Sequence, residues 1–268
     1  MKINKCKCVF FSPTGTTKKV VNEIANGIGI KEKESIDFTK LAVRNQKQIP
    51  FENNELAIIG VPVYFGRIPI LAEKFIQDLK AEKTLSVVVV VYGNREYEDA
   101  LIELKNTCEK VGFRTLAGGV FIGEHTMSSE KKPIAYGRPD EEDLRIAYNF
   151  GKKIEEKLEL IENSNKSCSL SVPGNSKYKK RQRMPKTAPK TNKKLCTLCT
   201  KCIAVCPTGA ITKDGSIIKT DKTKCIACYA CIKTCPVEAR EINNILFKLV
   251  NKKLYHTCKE RKEPEMYL

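Results

Sequence analysis

Eight of the thirteen cysteines in this 268-residue chain fall between Cys196 and Cys235, in two runs of identical spacing. Each run reads C-x2-C-x2-C-x3-C-P, and the second repeats the first at an offset of 29 residues. The N-terminus has no apolar signal segment, so we expect a cytoplasmic protein whose thiols stay reduced rather than forming disulfides. A dense, repeated cysteine pattern of this kind predicts metal binding.

The spacing favours two 4Fe-4S clusters. Two-residue gaps let a tight turn present three thiolates to one cluster, whereas the fourth cysteine of each run points toward the opposite cluster. One cluster is therefore expected to be bound by Cys196, Cys199, Cys202 and Cys235, and the other by Cys225, Cys228, Cys231 and Cys206. The alternative is two zinc sites, but zinc favours two separated cysteine pairs for each ion, and each run here supplies four cysteines in succession.

Residues 195–243, with a proline after each fourth cysteine, resemble the bacterial two-cluster ferredoxins. The resemblance implies a small α+β domain that transfers single electrons between neighbouring clusters. So small a module buries little apolar surface, and we expect its clusters to hold it together. Family members usually have an acidic surface, whereas residues 161–268 carry 23 Lys and Arg against 8 Asp and Glu. The surface of this module is therefore expected to be basic rather than acidic.

Residues 1–160 alternate strand-like and helix-like segments. Strands are predicted at Lys7–Phe11, Ser35–Phe38, Glu55–Val61, Leu85–Tyr92 and Thr115–Ile122, and helices at Thr17–Ile28, Pro69–Leu79, Glu96–Val111 and Asp140–Ile161. The alternation predicts an α/β fold, a doubly wound parallel sheet with helices on both faces. Ligands of such sheets bind at the carboxyl ends of the strands, so the loops after residues 11, 61, 92 and 122 are the candidate site.

The first of these loops, residues 12–17, has the sequence Ser-Pro-Thr-Gly-Thr-Thr and leads into a helix. Its hydroxyl groups, its glycine and the positive end of the helix predict a site for an anion such as phosphate. The loop contains no charged side chain and lacks the G-K-[ST] ending of a nucleotide P-loop. The alternative is that these residues only cap the helix.

The S-x-T-G-x-T pattern of this loop resembles the phosphate loop of the flavodoxins, and residues 62–69 and 92–97 stand where flavodoxins place their ring-contacting loops. The resemblance implies that FMN is bound by Ser12, Thr14, Gly15, Thr16, Thr17, Pro62, Val63, Tyr64, Phe65, Gly66, Tyr92, Gly93, Asn94 and Tyr97. Alternatively, the aromatic residues only pack the ends of the strands. Both halves together resemble the fused flavodoxin–ferredoxin proteins of anaerobic bacteria.

The expected division is a flavodoxin-like FMN-binding domain (1–162), a basic linker (163–194), a ferredoxin domain (195–243), and a C-terminal helix and tail (244–268). The expected function is single-electron transfer between FMN, two 4Fe-4S clusters and a redox partner protein whose surface is acidic. The alternative is a ferredoxin-coupled flavin reductase in which Arg67 or His125 orients a small substrate. No specific nucleic-acid ligand and no membrane span are expected, because the sequence has no nucleic-acid-binding motif and no sufficiently long apolar stretch.

The remaining five cysteines are not expected to bind metal. Cys6, Cys8 and Cys108 lie inside predicted elements and should pack as small apolar residues. Cys168 and Cys258 lie in polar segments and are candidate free thiols.

Overall fold

The computed structural model describes residues 3–46, 49–164, 170–182 and 187–268. The N-terminal part contains β1 (Lys5–Phe10), α1 (Thr16–Ile28), β2 (Glu32–Asp37), α2 (Leu41–Arg44), β3 (Pro50–Phe51), β4 (Glu55–Pro62), α3 (Ile70–Gln77), β5 (Lys80–Ala81), β6 (Leu85–Tyr92), α4 (Ala100–Lys110), β7 (Arg114–Ile122) and α5 (Glu141–Ser164). The C-terminal part contains β8 (Lys190–Thr191), α6 (Lys201–Ala204), β9 (Ile211–Asp214), β10 (Ile217–Thr220), α7 (Ala230–Lys233), β11 (Arg240–Glu241), α8 (Ile245–Thr257) and β12 (Glu265–Tyr267).

The central sheet has six strands in the order β12-β7-β6-β4-β1-β2. Five of them are parallel, and only β12 runs antiparallel, against β7. The valine-rich β6 is buried along its whole length, as expected for a strand covered on both faces. The predicted doubly wound α/β fold is therefore confirmed. The strand order reverses between β1 and β4, which places the crevice of the sheet at their carboxyl ends.

Helices α1 and α5 lie on the same face of the sheet and pack closely. Their contact depends on two glycines: a Cβ on Gly27 would lie 2.0 Å from the carbonyl oxygen of Tyr148, and one on Gly151 would lie 2.2 Å from that of Ile24. No side chain larger than hydrogen fits at either position without moving a helix. This packing fixes α1, whose N-terminus carries the first candidate loop.

The cysteine module repeats its backbone as well as its sequence. The first run passes through left-handed turns at Leu198 (φ 57°) and Thr200 (φ 59°), and the second through the equivalent Ala227 (φ 47°) and Tyr229 (φ 62°). The short helices α6 and α7 follow these turns and contact each other. Two small antiparallel sheets, β8–β11 and β9–β10, complete the module.

Residues 170–182 lie within the predicted linker, but they pack against the first domain. Leu170 is 6% exposed. Asp99, just before α4, accepts hydrogen bonds from the backbone amides of Asn175 (3.0 Å) and Lys179 (2.6 Å). We call residues 170–182 the strap. The strap has no sequence periodicity, which is consistent with a linker and equally consistent with an extended segment held by individual polar contacts. Residues 183–186 of the predicted linker lie outside the described part of the chain.

The strap is tied to the domain through Glu103 of α4, whose side chain is 1% exposed. One carboxylate oxygen accepts from Arg67 Nη2 (2.7 Å) and from Arg181 Nη2 of the strap (2.6 Å), and the other accepts from Arg67 Nε (2.7 Å) and the Ile68 amide (3.0 Å). Tyr178 of the strap stacks on the Arg67 guanidinium at 4.8 Å, a favourable cation–π distance. A single buried carboxylate thus joins the strap, α4 and the loop after β4.

The C-terminal tail belongs to the first domain, which the sequence did not indicate. Strand β12 pairs with β7 and covers its free edge. Before it, the Asn94 side-chain amide donates to the carbonyl oxygens of Cys258 (3.0 Å) and Glu260 (2.8 Å), and Arg261 pairs with Asp140 at 2.7 Å. The tail therefore returns the chain to the sheet after α8. None of the helices in the described ranges is both long and apolar enough to cross a membrane.

The cysteines outside the two runs are placed as follows. Cys6, Cys8 and Cys108 are buried in the two cores of the first domain, as expected. Cys258, expected in a polar segment, is only 7% exposed, and its carbonyl oxygen accepts a hydrogen bond from the Asn94 side chain. Cys168 lies outside the described residues.

We predict that Glu103→Gln destabilises the first domain by about 3–5 kcal/mol, because it leaves the buried Arg67 guanidinium without its counter-charge. Glu109→Gln on the same helix is the control, since the Glu109–Lys105 pair is partly exposed and worth at most about 0.5 kcal/mol. The measurement is the free energy of unfolding in denaturant. Equal losses in the two variants would contradict the central role of Glu103.

Candidate functional site

The loop between β1 and α1 is shaped by Gly15, which lies in the left-handed region (φ 87°) and precedes α1 without any side-chain cap. Ser12 Oγ accepts from the amide of Lys18 (3.0 Å) and so satisfies one donor of the first helical turn. Capping does not account for Thr17, whose hydroxyl oxygen is buried and has no hydrogen-bond partner among the described residues. The loop thus presents free helix amides and an unpaired buried hydroxyl.

A cavity of about 420 Å³ opens at the carboxyl ends of β1, β4, β6 and β7. Most residues that the sequence assigned to a flavin line it: Ser12, Thr14, Thr16, Thr17, Pro62, Val63, Tyr64, Phe65, Tyr92 and Gly93. They come from three loops that are distant in sequence. Parallel strands bring these loops to one edge of the sheet, as the pattern of elements predicts.

The other four assigned residues lie outside this lining. Gly15 and Gly66 adopt positive φ values (87° and 77°) and shape their loops. Asn94 directs its side-chain amide to the C-terminal tail. Tyr97 donates its hydroxyl to Glu265 at 2.8 Å and packs edge-on against Tyr92. For Asn94 and Tyr97 the structure therefore shows contacts with the tail, which the sequence pattern did not indicate.

Three further groups of residues line the cavity, and of these the sequence indicated only the loop after β7. The loop after β7 contributes residues 123–127, and the second cysteine run contributes Ile226, Ala227 and Tyr229. Helix α8 contributes Leu246, Phe247, Val250 and Leu254. Their apolar spacing indicates an amphipathic helix, but it does not indicate which surface that helix covers.

His125, which the alternative function assigns to orienting a small substrate, lies in the cavity wall. Its Nδ1 accepts from the amide of Met127 at 3.1 Å, which places the proton of the neutral ring on Nε2. Gly93 allows this packing, since a Cβ there would lie 2.6 Å from His125 Cδ2. Burial, together with the positive charges of Arg95 and Lys233, lowers the pKa of His125 to about 4. The ring is therefore a neutral hydrogen-bond donor near pH 7.

The cysteine module contains two smaller cavities, each with four cysteines in its lining. We call Cys196, Cys199, Cys202 and Cys235 the outer set and Cys206, Cys225, Cys228 and Cys231 the inner set. In each set, the fourth cysteine of one run lies with the first three of the other, which is the crosswise grouping that the spacing predicts. Across the described ranges, no three His, Cys, Asp or Glu side chains converge closely enough for a single metal ion. The four thiols of each set instead line a small cavity.

The inner set lies directly behind the wall of the larger cavity. Ile226, Ala227 and Tyr229 line both the 420 Å³ cavity and the cavity of the inner set. On the side of the first domain, burial, with a smaller effect of the Cys228 thiolate, raises the pKa of Tyr64 well above its ordinary value. Lys233, at the end of α7, pairs with Glu124 and donates to the Ser128 carbonyl at 2.9 Å. The module is thus docked with its inner half against the candidate site.

We predict that the His125 ring titrates with a midpoint near pH 4 rather than near its unperturbed value of about 6.5. Above pH 6.5 the stabilisation from burying a neutral ring is complete, and it is lost as the pH falls toward 4, because the unfolded chain takes up the proton first. The chain has two histidines, so His256→Gln isolates the His125 ring signal in an NMR titration. A midpoint at or above 6 would contradict the buried placement.

Comparison with known proteins agrees with both halves of this architecture. The model of the flavodoxin family matches residues 9–137, and that of the 4Fe-4S dicluster domain matches residues 188–240. No curated protein matches the chain.

Three solved structures illustrate the likeness, all of them flavodoxins. A flavodoxin from the domain Archaea is 18% identical, with 58% of this chain and 99% of that chain covered and a TM-score of 0.41. Oxidised flavodoxin 1 from Bacillus cereus is 15% identical, with 57% of this chain and 97% of that chain covered and a TM-score of 0.39. The two-electron reduced flavodoxin of Megasphaera elsdenii is 17% identical, with 56% of this chain and 98% of that chain covered and a TM-score of 0.36. The chain joins a flavodoxin domain to a 4Fe-4S dicluster ferredoxin domain and so matches the flavodoxin–ferredoxin fusion proteins.

Proposed function

We propose that this protein is an electron carrier that passes single electrons between FMN, two 4Fe-4S clusters and a redox partner protein with an acidic surface. The observation that carries the proposal is the wall shared by the two cavities: Ile226, Ala227 and Tyr229 line both. Groups bound in the two cavities would be separated by one layer of residues. Such proximity suits electron exchange between a flavin and an iron–sulfur cluster.

The residues of the larger cavity fit FMN. A phosphate at the N-terminus of α1 would meet free backbone amides, and it would provide the missing partner of the buried Thr17 hydroxyl. Tyr64, Phe65 and Tyr92 offer aromatic faces beside the crevice where a ring would lie. When bound, FMN supplies the exchange of one or two electrons.

The residues of the two smaller cavities fit 4Fe-4S clusters, each with four cysteine thiols available as ligands. The chain also places hydrogen-bond donors on the sulfurs. The Ala227 amide lies 3.4 Å from Cys225 Sγ, the Ala239 amide 3.2 Å from Cys235 Sγ, and Arg240 Nη2 3.9 Å from Cys231 Sγ. Such donors favour the more negatively charged reduced state and so raise the reduction potential of a bound cluster.

The structure favours an electron carrier over the alternative, a reductase acting on a small substrate. Of the two residues considered for orienting a substrate, Arg67 is buried and held by Glu103, the carbonyl of Lys179 and the Tyr178 ring. It is therefore committed to the fold. His125 lines the cavity, but its neutral ring offers a donor to a flavin as readily as to a substrate.

The proposal is tested by the absorption spectrum of anaerobically purified protein together with iron and flavin assays. We expect flavin bands, about eight irons and about one FMN per chain. Iron without FMN after incubation with the flavin would refute the flavin half of the proposal. Zinc in the cysteine sites, or failure to take up iron on reconstitution, would refute the cluster half.

Cysteine variants assign the two sets. Cys199→Ala in the outer set and Cys228→Ala in the inner set should each lose about half of the iron, because each removes one ligand of one cluster. Cys108→Ala is the control, since Cys108 lies in the core of the first domain, and it should keep all of the iron. Full iron content in the Cys199 and Cys228 variants would contradict the assignment.

The role of the Thr17 hydroxyl is tested by Thr17→Val, which keeps the shape of the side chain, and by Thr17→Ser, which keeps the hydroxyl. A hydrogen bond to a charged phosphate contributes roughly 1.5–3 kcal/mol, so the valine variant should bind FMN about 10- to 100-fold more weakly, with little change in the serine variant. Riboflavin, which lacks the phosphate, should bind both variants alike. Fluorescence titration of the wild type and both variants measures all six dissociation constants, and an equal loss of FMN and riboflavin binding in the valine variant would contradict a phosphate contact.

A further inference from the structure

We propose that the outer cysteine set is where electrons are exchanged with the external partner, and that Lys193, Lys194 and Lys201 bind an acidic face of that partner protein. This inference rests on the proposed function, because it assumes a cluster at the outer set. It adds which of the two sets faces the partner, which residues bind it, and the charge they recognise.

The internal repeat provides the comparison that separates the two sets. In the run of the outer set, Thr197, Thr200 and Lys201 are exposed. At the equivalent positions of the other run, Ile226 and Tyr229 are half-buried and Ala230 is 3% exposed. One run is therefore apolar where it packs against the flavodoxin domain, and the other is polar where it meets solvent.

The cysteines show the same asymmetry. Cys199 is exposed, whereas its counterpart Cys228 is 9% exposed and lies behind the wall of the larger cavity. Electron exchange between proteins needs close approach of the two redox centres. A partner can approach the outer set directly, whereas the flavodoxin domain occupies the equivalent approach to the inner set.

Three lysines lie beside the exposed set. Lys193 and Lys194 lie in the turn closed by the hydrogen bond from the Cys196 amide to the Asn192 carbonyl (3.1 Å), and Lys201 lines the cavity of the set. All three are exposed, and within the described ranges none of them forms an ion pair. Their charges are thus available to a partner.

Two basic residues of the strap, by contrast, are already paired. Lys179 pairs with Glu98 at 2.7 Å, and Arg181 pairs with both Glu73 and Glu103. The strap therefore uses these two cations to bind the protein's own first domain. Among the described residues, the unpaired lysines that lie beside an exposed cysteine set are those of the outer set. Tyr178 packs on Arg67, which removes the aromatic residue that nucleic-acid binding would have needed for base stacking.

Acidic carboxylates on a partner protein complement three clustered lysines, and the resulting attraction speeds and orients the encounter. In each productive encounter, one electron passes between the cluster at the outer set and the redox centre of the partner. One centre is oxidised as the other is reduced, and no bond or proton needs to change.

The experiment uses the full chain with iron and FMN bound, and the probes are rubredoxin of negative net charge and cytochrome c of positive net charge. The test variant is Lys193→Gln/Lys194→Gln/Lys201→Gln. The control variant is Lys222→Gln/Lys252→Gln/Lys253→Gln, which removes the same number of positive charges. Lys222 occupies the position in the second repeat that Lys193 occupies in the first, and it lies beside the inner set. Lys252 and Lys253 are exposed on α8. Calorimetric titration at low ionic strength gives the dissociation constants.

We expect the test variant to bind rubredoxin at least about fivefold more weakly than the wild type does, because each exposed charge pair contributes a few tenths of a kcal/mol or more. The control variant should bind rubredoxin less than about twofold more weakly than the wild type. The difference should shrink as salt screens the charges. Equal weakening in both variants, or wild-type binding to cytochrome c as tight as to rubredoxin, would overturn the inference. Tighter binding of a DNA oligonucleotide than of rubredoxin at physiological salt would also overturn the inference.

Iron and FMN are assayed first in each protein. A missing cluster counts against the proposed function, and this assay distinguishes it from the case in which the clusters are present but the lysines do not bind the partner.

Discussion

The architecture depends on the docking of the cysteine module against the carboxyl edge of the flavodoxin sheet, since only that placement makes the larger cavity and the inner cavity share a wall. Polar contacts hold the module there: Lys233 binds Glu124 and the Ser128 carbonyl, and Arg44 donates to the carbonyl oxygen of Pro207. The apolar Ile226 packs against the core of the first domain, and it lines both cavities together with Ala227. Polar and apolar contacts thus both hold the module against the first domain.

Two segments outside both family matches reinforce the first domain beside this docking surface. The strap binds through the buried Glu103, and the tail adds β12 to the edge of the sheet. Helix α8, which directly precedes the tail in the chain, contributes apolar side chains to the lining of the larger cavity. Because the tail binds Asn94 and pairs with β7, it anchors both the loop after β6 and the C-terminal end of α8. The site is thus completed by parts of the chain that neither domain would possess alone.

The distribution of charge has two different consequences. The formal net charge of +17 suggests one large basic surface, but two cations of the strap, Lys179 and Arg181, neutralise carboxylates of the first domain. Such pairs hold a segment in place and attract no external ligand. The lysines around the outer set have no such partners among the described residues, so they determine the field that an approaching protein meets.

Several features could be read from local sequence. The repeated spacing of the cysteines predicts which thiols group together, because a short turn fixes the direction of each side chain. The Ser12–Thr17 loop and the valine-rich β6 predict an anion site at the edge of a parallel sheet. The positions of Asn94 and Tyr97 could not be predicted, since both contact a tail more than 160 residues away in sequence.

The sequence by itself determined the two folds, the crosswise cysteine sets and part of the lining of the flavin cavity, because these depend on local spacing and on the alternation of elements. Only the tertiary structure decided which cysteine set faces the flavin cavity, which lysines remain unpaired and what α8 covers. The two runs share the spacing of their cysteines but differ in the residues between them, with Thr197, Thr200 and Lys201 in one and Ile226, Tyr229 and Ala230 in the other. The structure shows which of the two is buried against the other domain. Burial of this kind depends on contacts between residues far apart in the chain, and no local pattern records them.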